Sequence, residues 1–427
     1  MKTPYLILCI FFLCLSFSLA LKDEGEEDVK AGSTRHPVIL VPGDGGSKLM
    51  AKLNKSAGPH YWCYQHTSSY YLLWLNLDVL VSKFMDCFID NMRLHYNHTD
   101  RRTYNTPGVD IMVPDFGTTK AIENLSDWNY WFGGYTKYFF NLVDLLVKNL
   151  NYTRGQDLFG APYDFRKAPN EMDVFFSNLT RLAEQAYYAN NNTRVVLVSH
   201  SYGCVLTLHW LHRRTEAWKA KFIEHFVSLA GPYAGTALSY EVYAAGYNLD
   251  VWELDGKRLR SEQRTSPSLA FLSPNPLAWA KDRVFLTTPA ANYTVDNVQQ
   301  FFRDINFTDG WEMRKDTMNL LDISKPPGVS MYCVYGNGTA TTETVVYKDL
   351  KSFPDTPDHV VRGAGDGTVN LHSLRWCESW RGRQPQPLVS RLYPHADHMG
   401  LVTNYTIAED LVKYVAEINV GREANRL

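Results

Sequence analysis

Three short segments, far apart in the chain, contain side chains that together could carry out nucleophilic acyl transfer. The first is Ser199-His200-Ser201-Tyr202-Gly203, in which Ser201 stands between an apolar β-branched run and an apolar helical pattern. Asp366 lies downstream in a glycine-rich segment, and His398 lies near the C-terminus. A serine hydroxyl becomes nucleophilic when a histidine accepts its proton and a carboxylate orients that histidine. These residue types predict a triad of Ser201, Asp366 and His398.

The pentapeptide around Ser201 is similar to the nucleophile elbow G-x-S-x-G, with a serine in place of the first glycine. An elbow holds its serine on a strained turn between a strand and a helix, where the neighbouring residues must be small. Ser199 is still small, so we expect the turn to form. His200 flanks the nucleophile but would point away from it, and we interpret it as a packing residue.

Two of the three triad positions have competing interpretations. Asp366 follows one glycine and precedes another, so it could also belong to an ordinary Asp-Gly turn. His395 and His398 both follow the last predicted strand, which is where this chain order supplies its histidine. We prefer His398 because it is closer to the terminal helix and fits the motif described below. His395 is expected in a surface loop.

The negative oxygen of a tetrahedral intermediate needs two backbone N–H donors. One of them belongs to the residue after the nucleophile, which is Tyr202. The second is expected in the glycine-rich loop after the first strand, and we assign it to Asp44. The chain has no C-x-x-C or H-x-x-x-H spacing of a zinc site, and we predict no metal and no cofactor.

Strand and helix patterns alternate along most of the chain. Strands are predicted at 37–41, 195–198, 222–230, 331–335 and 388–393. Helices are predicted at 131–150 and 174–188, and an amphipathic helix at 407–418. This alternation predicts an α/β protein with a mostly parallel sheet, and the order Ser, Asp, His is that of the α/β-hydrolase fold.

Two long segments, 48–116 and 234–330, interrupt the alternation. Segments of this size usually form a subdomain or carry function. The remaining pieces, 37–47, 117–233 and 331–427, are then the hydrolase core. An aromatic run in the first insertion is either core or a surface that enters a lipid interface, with Trp74 and Leu75 near its tip.

The N-terminus and the acceptor sites for glycans indicate the secretory pathway. Residues 1–20 combine one lysine, an apolar run and a small-x-small end, which predicts a signal peptide followed by an acidic tail at 21–36. The balance of 43 basic against 45 acidic residues argues against nucleic acid as a partner. Ten N-x-S/T acceptors are present, at Asn54, Asn97, Asn124, Asn151, Asn178, Asn191, Asn292, Asn306, Asn337 and Asn404.

Two of the seven cysteines lie in the predicted signal peptide, and five remain. An oxidising compartment favours disulfides, and an odd number leaves one thiol free. Cys204 lies in the helix after Ser201, where a cross-link would be hard to reach, so we pair Cys63 with Cys87 and Cys333 with Cys377. The thiol of Cys204 either lines the site or is a small buried apolar group.

Several of these segments together resemble the lecithin:cholesterol acyltransferase family, over nearly the whole chain from residue 37 to the terminal helix. Two further stretches, Trp74-Leu75-Asn76-Leu77 and Tyr152-Thr153-Arg154-Gly155, resemble the lysosomal phospholipase A2 branch of that family. The segments that carry the resemblance are Val41-Pro42-Gly43-Asp44, Ala161-Pro162-Tyr163-Asp164-Phe165-Arg166, Ser199 to Gly203, Asp309-Gly310-Trp311, Gly365-Asp366-Gly367-Thr368-Val369 and Asp397-His398-Met399.

The resemblance implies an α/β-hydrolase fold and a calcium-independent phospholipase and transacylase. Such an enzyme moves a fatty acyl group from a glycerophospholipid through an acyl-serine to water or to a lipid alcohol, ceramide or a sterol. By motif, Ser201 is the nucleophile, Asp366 the orienting acid and His398 the base, while Asp44 and Tyr202 form the oxyanion hole.

The resemblance also implies how the rest of the chain is used. Both disulfide pairs match, 48–116 matches a membrane-contact subdomain, and 234–330 matches a cap and lid. The implied partners are phospholipid membranes or lipoprotein surfaces and a lipid alcohol. The implied protein is a monomer in the lysosome or secreted.

Two residues depart from the family pattern, and two other functions are compatible with parts of the sequence. Ser199 replaces a glycine or alanine, and Cys204 resembles the sterol acyltransferase more than the lysosomal enzyme, which leaves the acyl acceptor open.

A catalytically silent lipid-binding or transfer protein would take up lipid without turnover, and the full set of triad residue types argues against it. A soluble esterase or thioesterase would hydrolyse short esters as fast as liposomes, and the aromatic insertion argues against it.

Overall fold

The computed structural model describes residues 35–76, 83–126, 136–249 and 254–421. The predicted signal peptide and nearly all of the acidic tail lie outside these ranges. Within them the strands are β1 (Val38–Val41), β2 (Leu49–Leu53), β3 (Tyr71–Trp74), β4 (Leu94–Asn97), β5 (Arg102–Asn105), β6 (Val109–Met112), β7 (Leu158–Gly160), β8 (Val195–His200), β9 (Ile223–Leu229), β10 (Leu286–Thr287), β11 (Asn292–Tyr293), β12 (Ser330–Asn337), β13 (Thr341–Val346), β14 (His359–Gly363) and β15 (Leu388–Pro394).

The helices lie mostly between strands of the central sheet or in the two insertions. Short 3₁₀ segments occur at Pro169–Glu171 and Arg375–Trp380. The helices are α1 (Met85–Met92), α2 (Lys120–Glu123), α3 (Phe140–Leu150), α4 (Asp173–Ala189), α5 (Tyr202–His212), α6 (Glu216–Phe222), α7 (Leu238–Ala244), α8 (Gly256–Gln263), α9 (Pro267–Phe271), α10 (Val298–Asp304), α11 (Thr308–Thr317), α12 (Leu371–Leu374), α13 (Gly400–Thr403) and α14 (Tyr405–Asn419).

The central sheet has six parallel strands in the order β15-β12-β9-β8-β1-β7. Every residue of β1 and β8 is buried, as expected for parallel strands covered by helices on both faces. The predicted parallel α/β-hydrolase sheet is therefore confirmed. Strand β7 had no clear sequence signal, because three residues are too few for a periodic pattern.

The helices that pack on this sheet follow their sequence patterns. Helix α5 is apolar on nearly all sides, and all but the last of its residues are buried. Helix α14 is amphipathic, and its first turn is capped by the Asn404 side chain, which accepts from the Thr406 and Ile407 amides. The helix predicted at 131–150 begins at Phe140, and residues 131–135 lie outside the described ranges.

The first insertion contains the three-stranded sheet β3-β2-β6 and the hairpin β4-β5. The predicted Cys63–Cys87 disulfide links its first loop to α1, and Cys333–Cys377 links β12 to the 3₁₀ segment after α12. Buried Arg166 holds the insertion to the core, because its guanidinium donates to the Met92 carbonyl oxygen at 2.8 Å and to Asn105 Oδ1 at 2.9 Å.

A second hydrophobic core, separate from that of the central sheet, includes Tyr240, Phe285 and Phe301 of the second insertion and also Val345, which lies beyond it. The four-stranded sheet has the order β11-β10-β13-β14. Strands β13 and β14 come from the segment that the sequence assigned to the hydrolase core, yet β13 pairs with β10 of the predicted cap, and β14 pairs with β13. Short strands paired across more than fifty residues leave no local signal from which this could be predicted. No helix within the described residues is both long and apolar enough to cross a bilayer.

Candidate active site

Ser201 stands at the turn between β8 and α5, at the carboxyl end of the sheet. Its backbone has φ 52° and ψ −123°, a conformation that a non-glycine residue adopts only when its surroundings impose it. The Ser201 N–H donates to the Leu229 carbonyl oxygen at 2.8 Å, and the Cys204 N–H donates to the Ser201 carbonyl oxygen at 2.9 Å. These bonds hold the strained turn that presents the hydroxyl.

The structure brings the three predicted triad residues together. His398 Nε2 lies 2.8 Å from Ser201 Oγ, and His398 Nδ1 lies 2.7 Å from Asp366 Oδ2. Both the imidazole and the carboxylate are buried, with His398 only 7% exposed and Asp366 fully enclosed. A carboxylate accepts, so Nδ1 carries the proton and Nε2 is free to accept one from the serine hydroxyl.

The loop that carries Asp366 is built to hold a carboxylate. Its other oxygen, Oδ1, accepts from the Val369 N–H at 2.8 Å and from the Thr368 N–H at 3.1 Å. The His398 N–H also donates to the Asp366 carbonyl oxygen at 2.7 Å. Gly367 has φ +96°, where a side chain would be strained, which explains the glycine. An ordinary Asp-Gly turn would account for the backbone conformation but not for the hydrogen bonds that the Asp366 carboxylate makes.

His395 does not take part in this arrangement. Its side chain is exposed, and its N–H donates to the Asn337 carbonyl oxygen at 2.6 Å. The preference for His398 agrees with the geometry, and His395 lies in a surface loop as expected.

The loop after β1 packs directly against the elbow. A Cβ on Gly43 would lie 2.7 Å from Ser201 Cβ, and a Cβ on Gly203 would lie 2.3 Å from the Pro42 carbonyl oxygen. Both glycines are therefore required by close approach of two backbones. Neither the Asp44 N–H nor the Tyr202 N–H donates to another described residue, as expected of donors reserved for a substrate oxygen.

Two carboxyl groups near this loop have raised pKa values. Asp44 is exposed, but the protein atoms around its carboxyl disfavour the charged form and raise its pKa to about 7, with the charge of Asp164 adding to the effect. Glu262 in α8 is buried, and desolvation raises the pKa of its carboxyl to about 8, although Arg166 acts in the opposite direction. Near pH 5 both carboxyl groups are uncharged.

The two departures in the elbow sequence have structural explanations. Ser199 is fully buried, and its hydroxyl pairs with that of Thr207 in α5 at 2.8 Å, so the extra atoms are accommodated without loss of the turn. Cys204 is also fully buried, and its thiol donates to the Ser199 carbonyl oxygen at 3.2 Å and to the Leu229 carbonyl oxygen at 3.3 Å. Burial raises the pKa of this thiol to about 12. The geometry favours the small buried group over a residue that lines the site.

His200 has contacts that the sequence interpretation missed. It is buried, as a packing residue would be, but both ring nitrogens are hydrogen-bonded to other parts of the site. Nδ1 lies 2.6 Å from Tyr138 Oη, and Nε2 lies 3.0 Å from the His398 carbonyl oxygen. No local pattern could have found this, because Tyr138 and His398 are distant in sequence.

Trp74 faces inward toward the loop after β1. Its indole N–H donates to the Gly45 carbonyl oxygen at 2.7 Å, and its ring packs against Phe88 and Phe165. Leu75 is half-buried. Within the described residues no group of three or more His, Cys, Asp or Glu side chains is arranged to hold a metal ion.

The family model of lecithin:cholesterol acyltransferase matches residues 70–405. The dog (Canis lupus familiaris) protein named lysosomal phospholipase A and acyltransferase is 42% identical over 87% of this chain and 89% of its own length. The mouse (Mus musculus) phosphatidylcholine-sterol acyltransferase is 38% identical over 87% of this chain and 84% of its own.

Among solved structures, the Tle4-Tli4 complex is similar with a TM-score of 0.47 and 11% identity, covering 91% of this chain and 99% of that one. A similarity of this size does not itself establish the fold, which rests on the parallel sheet and on the family match. The model match covers most of the chain, and the relatives are well above 30% identity over nearly their full length. The chain therefore belongs to the lecithin:cholesterol acyltransferase family.

Proposed function

We propose that this chain is a phospholipase and transacylase that uses Ser201 to move a fatty acyl group from a glycerophospholipid to water or to a lipid alcohol. The observation that carries the proposal is the continuous hydrogen-bonded row of Asp366, His398 and Ser201 at a strained elbow. Membership of a family whose relatives are named as phospholipase and acyltransferase supports the choice of substrate.

The first half-reaction forms the acyl-enzyme. His398 Nε2 accepts the Ser201 hydroxyl proton while Oγ attacks the ester carbonyl carbon, and Asp366 stabilises the resulting imidazolium. The Asp44 and Tyr202 N–H groups donate to the oxyanion, and the loss of one such donor costs about 3 kcal/mol of transition-state stabilisation. The imidazolium then returns its proton to the leaving glycerol oxygen, which frees the lysophospholipid.

The second half-reaction transfers the acyl group. Water or a lipid alcohol gives its proton to His398, attacks the acyl-serine and restores the Ser201 hydroxyl. Two successive products from one covalent intermediate give ping-pong kinetics. No step requires a metal ion, which is the basis for proposing calcium independence.

The test is a single incubation of purified protein with acyl-labelled phosphatidylcholine, ceramide and cholesterol. Label is expected in free fatty acid and in one of the two acylated alcohols. The variant Ser201→Ala should release none and should not react with a fluorophosphonate probe, whereas Ser324→Ala, an exposed serine outside the site, should behave as the wild type. Lipid uptake by the wild type without label transfer would instead indicate a silent lipid-binding protein.

We further propose that the subdomain 48–116 contacts the lipid surface. Trp74 and Leu75 were the predicted contacts, but the side chains that favour contact most are Tyr61 and Tyr64, which are 92% and 79% exposed. Replacing both tyrosines by serine should weaken liposome binding and spare hydrolysis of a short soluble ester. Trp74→Ala should also slow the soluble reaction, because its indole supports the Gly45 carbonyl.

The compartment and glycan sites remain proposals of the same kind. Two disulfides favour an oxidising lumen, and the dog relative is named lysosomal, which supports a lysosomal or secreted protein. We propose that it acts as a monomer. Seven acceptor asparagines are exposed, whereas Asn124, Asn178 and Asn337 are half-buried. Peptide mapping after deglycosylation should find glycans at exposed sites, namely Asn54, Asn97, Asn151, Asn191, Asn292, Asn306 and Asn404.

A further inference from the structure

A buried hydrogen-bonded row runs beneath the site and connects its two halves. The Gly43 N–H donates to Tyr138 Oη at 2.8 Å, Tyr138 Oη lies 2.6 Å from His200 Nδ1, and His200 Nε2 lies 3.0 Å from the His398 carbonyl oxygen. Tyr138 is 2% exposed and His200 is 1% exposed. The row therefore begins at the residue before the oxyanion donor Asp44 and ends at the residue that supplies the base.

The direction of each hydrogen bond in this row is determined by its ends. A carbonyl oxygen can only accept, so His200 Nε2 must carry a proton to donate to His398. A neutral imidazole then has an acceptor at Nδ1, and the Tyr138 hydroxyl must donate to it. The Tyr138 oxygen keeps a lone pair for the Gly43 N–H. Every donor and acceptor is used once, so protonation of Nδ1 would break the row.

The surroundings keep His200 neutral. Burial lowers its pKa well below the ordinary value. The hydroxyl of Tyr138 is equally enclosed, and desolvation raises its pKa. The row should therefore persist across the pH range in which the enzyme acts.

Steric contacts tie the same residues to the oxyanion loop. A Cβ on Gly46 would lie 2.7 Å from a Tyr138 ring carbon, and a Cβ on Gly43 would lie 3.2 Å from His200 Nδ1. The His200 and His398 rings are also in contact, with centroids 4.9 Å apart. The loop after β1 thus contacts Tyr138, and His398 contacts His200, so that these two side chains connect the loop with the base.

We propose that His200 and Tyr138 act as one positioning unit that sets the distance between the Asp44 amide and the His398 imidazole. The inference rests on the proposed function, since it concerns the same acyl transfer. Neither side chain reaches the reacting atoms. The unit acts on formation of the tetrahedral intermediate, so it should affect kcat and leave binding of the lipid surface unchanged.

The experiment compares kcat and KM for a short soluble ester and for phosphatidylcholine liposomes, with active enzyme counted by fluorophosphonate titration. Tyr138→Phe removes only the hydroxyl and should lower kcat for both substrates by the same factor, about tenfold to a hundredfold, with KM unchanged. The control Tyr347→Phe removes a buried hydroxyl that donates to the Pro354 carbonyl oxygen in the cap, and its kcat should match that of the wild type.

A second variant keeps the test decisive if Tyr138→Phe does not fold. His200→Gln retains a donor toward the His398 carbonyl but cannot accept from Tyr138 in the same geometry. It should show the same kcat loss, and the double variant should lose no more than the worse single variant, because one unit is removed twice. Unchanged kcat per active site in either folded single variant, or fully additive losses, would overturn the inference. Absence of turnover in the wild type would instead overturn the proposed function.

Discussion

Glu262 offers the sharpest test of the electrostatics around the site. The residue is 8% exposed, and desolvation raises the pKa of its carboxyl from 4.5 to about 8. The folded protein therefore binds this proton more tightly than the unfolded chain does. Such a group has no destabilising effect below pH 4.5, and the free energy of unfolding falls as pH rises from 4.5 toward 8. We predict that Glu262→Gln raises stability at neutral pH and leaves it nearly unchanged at acidic pH.

The size of the effect follows from the same shift. Each pH unit between the unfolded and folded pKa removes about 1.4 kcal/mol from the free energy of unfolding. At pH 7 the upper bound is about 3 kcal/mol, and local relaxation with water entry reduces this to roughly 1–3 kcal/mol. For a chain of this size that corresponds to roughly 1–4 °C in melting temperature.

The assay is thermal unfolding of the wild type, Glu262→Gln and Asp296→Asn at pH 4.5, 6.0 and 7.5. Asp296 is an exposed carboxylate on the cap, so its neutralisation controls for the change in net charge. The melting temperature of Glu262→Gln should exceed that of the wild type by an amount that grows with pH, and Asp296→Asn should show no such trend. A constant difference across the three pH values would refute the reasoning.

Three further predictions concern the elbow and its loop. Ionisation of Asp44 as pH rises through 7 places negative charge beside the oxyanion and should slow the wild type. Asp44→Asn should therefore reduce the alkaline decline in the rate of hydrolysis of a soluble ester. The same decline in both proteins would contradict this prediction. Cys204→Ala should keep activity within about twofold, and thiol reagents should leave the native wild type active, since the thiol is buried and protonated; rapid inactivation would disprove it. Gly203→Ala should yield little soluble protein in a secretion assay, since its Cβ would meet the Pro42 carbonyl oxygen at 2.3 Å, and a normal yield would show that the loop can move.

The parts of the structure that were predictable have strong local signals. The run 195–198 followed by a small-residue turn and an apolar helix specifies β8, the elbow and α5, because buried strands and helices leave different patterns. The glycines around Asp366 and the placement of His398 after the last strand followed from the chain order of the fold. The position of Cys204 left four cysteines to pair, and the chosen pairing, one of three possible, is the one that the family resemblance implies and the structure contains.

The parts that were missed depend on contacts between distant segments. An aromatic run such as 70–76 shows that Trp74 is apolar, but only the fold determines that its indole faces Gly45 and not solvent. The pairing of β13 with β10 also has no sequence signature. The role of His200 depends on its contact with Tyr138, which lies just before α3. Neither residue therefore stands out in the sequence by itself.

The sheet β11-β10-β13-β14 limits where the predicted cap can be cut for exchange between relatives. Strand β14 ends at Gly363, three residues before Asp366, so one continuous piece of backbone serves both the cap and the orienting acid. An exchange of 234–330 alone would place a relative's version of β10 beside β13, so that Val345 of the second core would pack against side chains to which it is not matched. The exchangeable module extends to residue 363, and a chimera that cuts earlier should lose solubility before it changes specificity.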